Sequence, residues 1–217
     1  PVGHTVYRPR ASTDTPAPAV VSRPAVSVAT PPPPKPTVDE HTIILGDVKA
    51  TRGPAVLKTL LGSCVAACVY DPDTGVGGMN HFSLPGAGDD GANARYGAYA
   101  MELLITAVMK KGGNRDRLRA KVFGGAKVLN VEAESLNVGA RNAEFVLNFL
   151  QTEGIPVDGQ CLGGTAGLLV RFHPHTGRAA AKPLPGKELP KVVRDEQRFD
   201  AEVTRRAEAP ADDITLF

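Results

Sequence analysis

The hydrophobic pattern of the 217-residue chain predicts a series of strands in its first ordered part. Apolar residues dominate "HTIILGDV" at 41–48 and "AVLKTLL" at 55–61, which predicts two strands separated by "ATRGP". "CVAACVY" at 64–70 is an unbroken apolar run that ends in the turn sequence "DPDTG". Such a run predicts a strand covered on both faces, and "VGGMNHF" at 76–82 predicts the strand that returns beside it.

Helical spacing appears twice further along the chain. The segment from 95 to 111 ends in "KKGG", a basic last turn and glycine stop, and its apolar stripe is expected to comprise Tyr96, Tyr99, Ala100, Leu103, Leu104, Ala107 and Val108. A second helix is predicted over 142–153, with an inward face made of Phe145, Val146, Phe149 and Leu150. "KVFGG" at 121–125 predicts a short strand, and 167–184 predicts a hairpin around "PHTG".

Strands and helices therefore mix without a regular βαβ alternation. This order predicts an α/β fold in a single domain, with a central β-sandwich of mixed or antiparallel strands and flanking helices. The glycine pairs along the chain do not make a dinucleotide-binding fingerprint, and no phosphate-binding P-loop is present, so a dinucleotide or nucleotide cofactor is not expected.

Composition divides the chain into three parts. Residues 1–40 hold ten of the 19 prolines and few large apolar residues, which predicts a disordered or extended Pro-rich arm. The folded domain is expected over 41–186, and 187–217 is expected to be a charged, weakly helical and peripheral tail.

The charge balance and cysteine content narrow the class of protein. A net charge of +2 without a basic block, few aromatic residues and no Trp disfavour a nucleic acid partner. No apolar run is long enough to cross a bilayer, so membrane insertion is not expected. Three cysteines are too few for a disulfide scaffold, which favours a reducing cytoplasm.

Cys64 and His81 are the candidate reactive pair. If Asp71–Thr74 forms the loop of a hairpin, Tyr70 pairs with Gly75 and, in the same register, Cys64 faces His81. Directly opposed residues point to the same face with Cβ atoms about 4.5–5.5 Å apart, which suits a thiol and its imidazole base. A bulge that shifted this register by one residue would turn the side chains apart.

The alternative is that these residues are structural. Free cysteines are among the most buried residue types, and Cys68, between Ala67 and Val69, is interpreted in that way. Cys64 differs because it follows "GS", where the backbone amide can approach a substrate.

A zinc site is disfavoured by the spacing of the thiols. Cys64 and Cys68 would lie about 13 Å apart on a strand. Two thiolates bound to one zinc ion must lie within about 4 Å of each other. His173 and His175 flank the predicted hairpin turn without further ligands, so no metal is expected.

The successive blocks "LLGSCVAACVYDPDTGVGGMNHFSLP", "RYGAYAMELLI", "KVFGGAKVL", "VGARNAEFVLNFL" and "LGGTAGLLVRFHPHTGRAAAKPL" resemble the CheD family of chemoreceptor glutamine deamidases. The resemblance covers 41–185 in order. It implies a cytoplasmic chemotaxis enzyme that deamidates glutamines of methyl-accepting chemoreceptors, and a fold akin to the catalytic domain of cytotoxic necrotizing factor toxins.

The resemblance also implies roles for individual residues. Cys64 corresponds to the family's nucleophile and His81 to its base, and Thr59 is the nearest candidate for a third catalytic residue, a hydroxyl upstream of the cysteine. Cys161 stands where the family would have an acidic residue, and it is expected to be buried.

Oxyanion contacts are expected near the nucleophile. Backbone amides beside Cys64, from Gly62 and Ser63, are the expected donors. Asn80 is assigned to the same substrate group, although it alternates to the strand face opposite His81.

Two other functions are compatible with this sequence. A regulatory module could dock on chemoreceptors, or on the CheC-type phosphatase that is the family's usual partner, with catalysis secondary. A cysteine protease would share the dyad, but it would cleave the chain instead of a side-chain amide.

Overall fold

The computed structural model describes residues 38–84, 90–127, 135–184 and 188–208. The Pro-rich arm predicted over 1–40 lies almost entirely outside the described residues. Nine strands are present in these ranges: β1 (Asp39–Thr42), β2 (Val48–Arg52), β3 (Ala55–Leu61), β4 (Val65–Asp71), β5 (Val76–Asn80), β6 (Arg119–Gly124), β7 (Val157–Leu162), β8 (Leu168–His173) and β9 (Arg178–Pro183). The helices are α1 (Asp90–Lys110), α2 (Ser135–Thr152) and α3 (Leu189–Glu208), with a 3₁₀ turn at Arg115–Arg117.

The strands form two sheets. One has four strands in the order β1-β3-β8-β9, and the other has five in the order β2-β5-β4-β6-β7. β1 runs parallel to β3 and β6 parallel to β7, and the remaining pairs are antiparallel. The predicted α/β class, with a mixed sandwich and flanking helices, is confirmed.

β4 is the central strand of this arrangement and is buried along its whole length. Alternate residues face different cores, because successive side chains of a strand point to opposite faces. Val65, Ala67 and Val69 pack with α1 and α2, whereas Ala66 and Cys68 face the four-stranded sheet. The prediction that "CVAACVY" is covered on both faces is confirmed, and the fold is therefore a three-layer arrangement of sheet, sheet and helices.

Two element predictions need correction. The strand predicted over 41–48 is not continuous, because β1 ends at Thr42 and β2 begins at Val48. β2 extends into the predicted connection "ATRGP", since it pairs along its length with β5. The inward face of α1 is made of Met101, Leu104, Ile105 and Val108, while Tyr99 and Leu103 are 61% and 40% exposed. The apolar stripe predicted for α1 is therefore rotated about the helix axis relative to the face that is buried.

The expectation of a peripheral tail is also wrong. α3 is a 20-residue helix, and its Val192 and Glu196 are buried against the rest of the domain. No helix in the described ranges is long and apolar enough to span a membrane.

Candidate active site

Three residues connect the two sheets at one end of the sandwich. β3 ends at Leu61 in the four-stranded sheet, and β4 begins at Val65 in the five-stranded sheet. The intervening residues Gly62, Ser63 and Cys64, here called the amide loop, belong to neither sheet. Their backbone groups are therefore available for contacts other than the strand ladders.

A glycine pair after β6 holds two carbonyl groups of the amide loop. The Ala126 amide donates to the Gly62 carbonyl at 2.9 Å, and the Gly125 amide donates to the Cys64 carbonyl at 2.8 Å. Gly124 has φ +108°, and a Cβ there would lie 2.1 Å from the Cys64 carbonyl oxygen. Only glycine permits this approach, so "FGGA" is a backbone support for the loop.

Asn142 of α2 holds the remaining carbonyl. Its side-chain amide donates to the Ser63 carbonyl at 3.0 Å and to the Ser83 hydroxyl at 3.2 Å. Its Oδ1 accepts from the Leu84 amide at 2.7 Å, and the residue is fully buried. All three carbonyls of the amide loop are thus bonded.

The N–H groups of the amide loop converge on one carboxylate. Glu196 of α3 accepts from the amides of Gly62 at 3.0 Å, Ser63 at 3.2 Å and Cys64 at 3.2 Å. The Ser63 hydroxyl donates to the same carboxylate at 2.8 Å. The loop is therefore a ready-made binding site for an anionic oxygen, directly at the cysteine.

Thr59 fixes the tautomer of His81. The Thr59 hydroxyl donates its one proton to the Ile43 carbonyl at 2.7 Å, and its oxygen lies 2.9 Å from His81 Nδ1. Since that oxygen has no second proton to give, Nδ1 must be the protonated nitrogen and the donor. Nε2 then carries the lone pair, and it is buried with no hydrogen-bond partner among the described residues.

Burial keeps the imidazole neutral. Removal from water lowers the pKa of His81 from 6.5 to about 4, and the negative charges of Glu196 and Asp47 partly oppose this shift. The ring is therefore an unprotonated base at neutral pH.

Cys64 and His81 lie on the same side of the five-stranded sheet. Cys64 packs with Ala66, Cys68 and Met79 in the core between the sheets, and His81 lies two residues beyond Met79 on the same strand path. The bridge between Val65 and Phe82 continues the β4–β5 register.

This register differs by two residues from the expected one, so Cys64 and His81 are diagonal neighbours and not directly opposed. A two-residue displacement preserves the face. Diagonal neighbours are still within reach of long side chains.

Thr59 reaches the same core from the opposite sheet, between the buried Leu57 and Leu61.

Asn80, which was expected among the substrate contacts, lies away from the amide loop. Its Oδ1 accepts from the Ala67 amide at 3.0 Å and its Nδ2 donates to the Ala100 carbonyl at 3.0 Å, on the side of the sheet that α1 covers. The structure gives Asn80 a packing role and no contact with the amide loop.

The other two cysteines have separate environments. Cys68 is fully buried in β4, and desolvation strongly raises the pKa of its thiol, which keeps it protonated. Cys161 lies on the edge strand β7 and is exposed, so the expectation of a buried residue was wrong. In the described part of the chain, no three His, Cys, Asp or Glu side chains are grouped to hold a metal ion.

Two residues of this site were not predicted from the sequence, Asn142 and Glu196. Each is a polar residue on the inward stripe of an amphipathic helix. Asn142 precedes Val146 and Leu150, and Glu196 follows Val192, at a spacing of four residues. A polar residue at a position where the spacing demands an apolar one is the signal that would have found both.

A cysteine beside converging backbone N–H groups, near a histidine oriented by a hydroxyl, is the set of groups that thiol-dependent acyl-transfer enzymes use. The family model for CheD, described as CheD chemotactic sensory transduction, matches residues 83–183. The chain belongs to the CheD family, since it is also about half identical to curated members over most of its length.

Its similarity to curated members extends over most of both sequences. A protein of Ruegeria sp. strain TM1040, named probable chemoreceptor glutamine deamidase CheD 1, is 48% identical over 81% of this chain and 94% of its own. Proteins named probable chemoreceptor glutamine deamidase CheD are 49% identical in Agrobacterium fabrum, over 81% and 94% of the two chains, and 52% identical in Rhizobium rhizogenes, over 72% and 86%.

Proposed function

We propose that this protein deamidates glutamine side chains of methyl-accepting chemoreceptors in the cytoplasm, with Cys64 as nucleophile and His81 as base. The names of its relatives support the reaction and the substrate class. The observation that carries the assignment of residues is the amide loop itself, in which three N–H groups, including that of Cys64, converge on one carboxylate.

The first half of the reaction transfers the acyl group to the enzyme. His81 Nε2 takes the proton of the Cys64 thiol, and the sulfur attacks the side-chain carbonyl carbon of glutamine, forming a C–S bond. Negative charge develops on the carbonyl oxygen, where the amides of Gly62, Ser63 and Cys64 can receive it. One well-aimed donor of this kind is worth about 3 kcal/mol of transition-state stabilisation.

The second half releases the product. The C–N bond breaks as His81 returns the proton to nitrogen, and ammonia leaves a thioester on Cys64. His81 then removes a proton from water, which attacks the thioester and gives glutamate and the free thiol. The net change is hydrolysis of one amide to a carboxylate and ammonia.

Thr59 is the positioning residue in this scheme. By accepting from Nδ1, its hydroxyl directs the unprotonated nitrogen of His81 toward the substrate side. The residue therefore acts through the imidazole and does not itself touch the reacting atoms.

The domain boundaries follow from the same proposal. We assign catalysis to the domain over 41–186, whose amide loop is bonded by Glu196 of the tail that follows. Binding to a CheC-type phosphatase stays a prediction from the family resemblance.

The proposal is tested by incubating the full chain with a cytoplasmic chemoreceptor fragment and mapping its peptides by mass spectrometry. Conversion of glutamine to glutamate with the native protein, and its absence with Cys64→Ala, is the expected result. Conversion that survives Cys64→Ala would overturn the assignment of the nucleophile, and no conversion on a fragment that the protein binds would favour a docking module instead.

A further inference from the structure

α3 is an amphipathic helix whose inner stripe covers the amide loop. Leu189 lies near Gly167, Val192 is buried, and the ring of Phe199 lies against Gly46. Phe199 also makes an edge contact with Tyr96 of α1, with ring centroids 6.4 Å apart. Apolar contacts therefore hold the helix on both sides of the buried carboxylate of Glu196.

Both oxygens of that buried carboxylate are hydrogen-bonded. Glu196 is only 7% exposed, and its two oxygens accept from three backbone amides and one hydroxyl, all of them neutral donors. Burying a charge is costly unless hydrogen bonds replace its hydration. The amide loop supplies those bonds, so the loop is well suited to hold a carboxylate.

Gly62 leaves room for this contact. A Cβ at that position would lie 2.9 Å from Glu196 Oε1 and 3.0 Å from Oε2. The absence of a side chain is what lets an oxygen-bearing group approach the amides.

The group that approaches is chemically the product of the proposed reaction. Deamidation of glutamine yields a glutamate side chain on a protein, and α3 presents a glutamate side chain to the amides that would stabilise the oxyanion. The Cys64 amide itself donates to that side chain.

We propose that α3 is a built-in product mimic, which occupies the substrate site with Glu196 and must withdraw before a receptor glutamine can enter. The interpretation of Glu196 as a product mimic rests on the proposed function, whereas the proposal that α3 covers Cys64 does not. The chain would thus carry its own competitive inhibitor, released when the receptor segment that bears the glutamine displaces α3.

The test measures how fast Cys64 is alkylated by iodoacetamide in the full-length chain, resolved by peptide mass spectrometry. A Cys161→Ser background removes the exposed thiol. We expect Glu196→Ala to raise the Cys64 labelling rate about tenfold or more, because α3 loses the contact that holds it over the loop. Asp195→Ala, at an exposed neighbouring position of the same helix, is the matched control and should label like the native chain.

Cys68 reports on unfolding in the same experiment, since it lies in the core of β4. If Glu196→Ala exposed Cys68 as well, Glu196→Met, which keeps the side-chain length and removes the carboxylate, would take its place. Equal Cys64 labelling in the folded Glu196 variant and the native chain would overturn the proposal.

Deamidation of the receptor fragment provides a second readout. It distinguishes failure of the proposed deamidase function from failure of the proposal that α3 blocks the site. Faster conversion by Glu196→Ala, with a lower KM, supports the product mimic, and equal rates contradict it. If neither protein converts the fragment, the proposed function fails, and the labelling rates still decide whether α3 covers Cys64.

Discussion

Helices α2 and α3 each place one polar side chain on the amide loop, from opposite sides of its peptide groups. Asn142 of α2 donates to a carbonyl and is fully buried, whereas Glu196 of α3 accepts from the N–H groups. The first contact braces the loop, and the second fills the site that the loop forms. Removing the Asn142 side chain should therefore reduce deamidation, and removing the Glu196 carboxylate should increase it.

The largest effect is expected for Asn142→Ala. The variant leaves the Ser63 carbonyl and the Leu84 amide without partners, and an unpaired buried group costs about 1–3 kcal/mol. A loop displaced by about 1 Å would lower kcat about 100-fold. Receptor deamidation and thermal unfolding measure the two effects.

Asn148→Ala is the matched control, since this asparagine lies on the exposed side of α2. It should leave both quantities unchanged. Full activity in Asn142→Ala would show that the amide loop needs no support from α2.

Thr59→Val should lower kcat about tenfold with little change in KM. The substitution keeps the shape of the side chain and removes the oxygen that accepts from His81 Nδ1, so the imidazole loses its preferred tautomer. Steady-state kinetics on the receptor fragment measure the change.

Thr59→Ser, which keeps the hydroxyl, should recover most of the activity. Equal loss in both variants would point to packing at the sheet interface and against a role through the imidazole.

Acid should destabilise the protein through His81. Its folded pKa of about 4 lies below the ordinary value of 6.5, so the unfolded chain binds the proton more readily between these values. Stability is therefore highest above pH 6.5 and falls as the pH drops toward 4, by about 1–2 kcal/mol between pH 7 and 5. Denaturant unfolding at several pH values measures this slope.

His81→Gln should show a shallower slope in the same range. His173, whose pKa burial also lowers, titrates in both proteins and so cancels in the comparison. Identical slopes would contradict the burial of a neutral imidazole.

The smallest expected effect is a slow increase in the mass of the Glu196→Gln variant. This variant presents a glutamine side chain to the amide loop, and Cys64 should slowly convert residue 196 back to glutamate. Intact mass and peptide mapping over time detect the increase of about 1 Da, and the double variant with Cys64→Ala should show none. A stable glutamine in an otherwise active enzyme would mean that α3 seats its side chain in a non-productive geometry.

Much of the fold was predictable because strong local signals agree with the tertiary structure. The strand 55–61 has the predicted bounds, and the hairpin around "PHTG" is confirmed. β7 gave no such signal, since "VDGQCL" lies at a sheet edge where half of its residues face solvent. A polar edge strand is recognised only once its neighbour is known.

The register of the β4–β5 hairpin was missed for a local reason. Gly75 has φ +65° and belongs to the turn, so Asp71 pairs with Val76. The prediction ended the first strand at Tyr70 and started the second at Gly75, each one residue too early, and together these errors displaced every pair by two residues. The error preserved the face, which is why Cys64 and His81 were still assigned to one site.

The amide loop and its helices depend on contacts between distant parts of the chain. Glu196 lies 132 residues from Cys64, and Asn142 lies 79 residues from Ser63. Local patterns predicted Cys64 as the candidate nucleophile, but no spacing rule connects it to a carboxylate on the last helix.

The hydrogen bond between Thr59 and His81 also joins the two sheets, because β3 belongs to one and the path of β5 to the other. The orientation of the His81 imidazole therefore depends on the distance between the two sheets. Anything that widens that gap by a fraction of an ångström, such as heat or a lost side chain in the shared core, would release the imidazole while the strands stay intact. Deamidation should then fail a few degrees before the fold does.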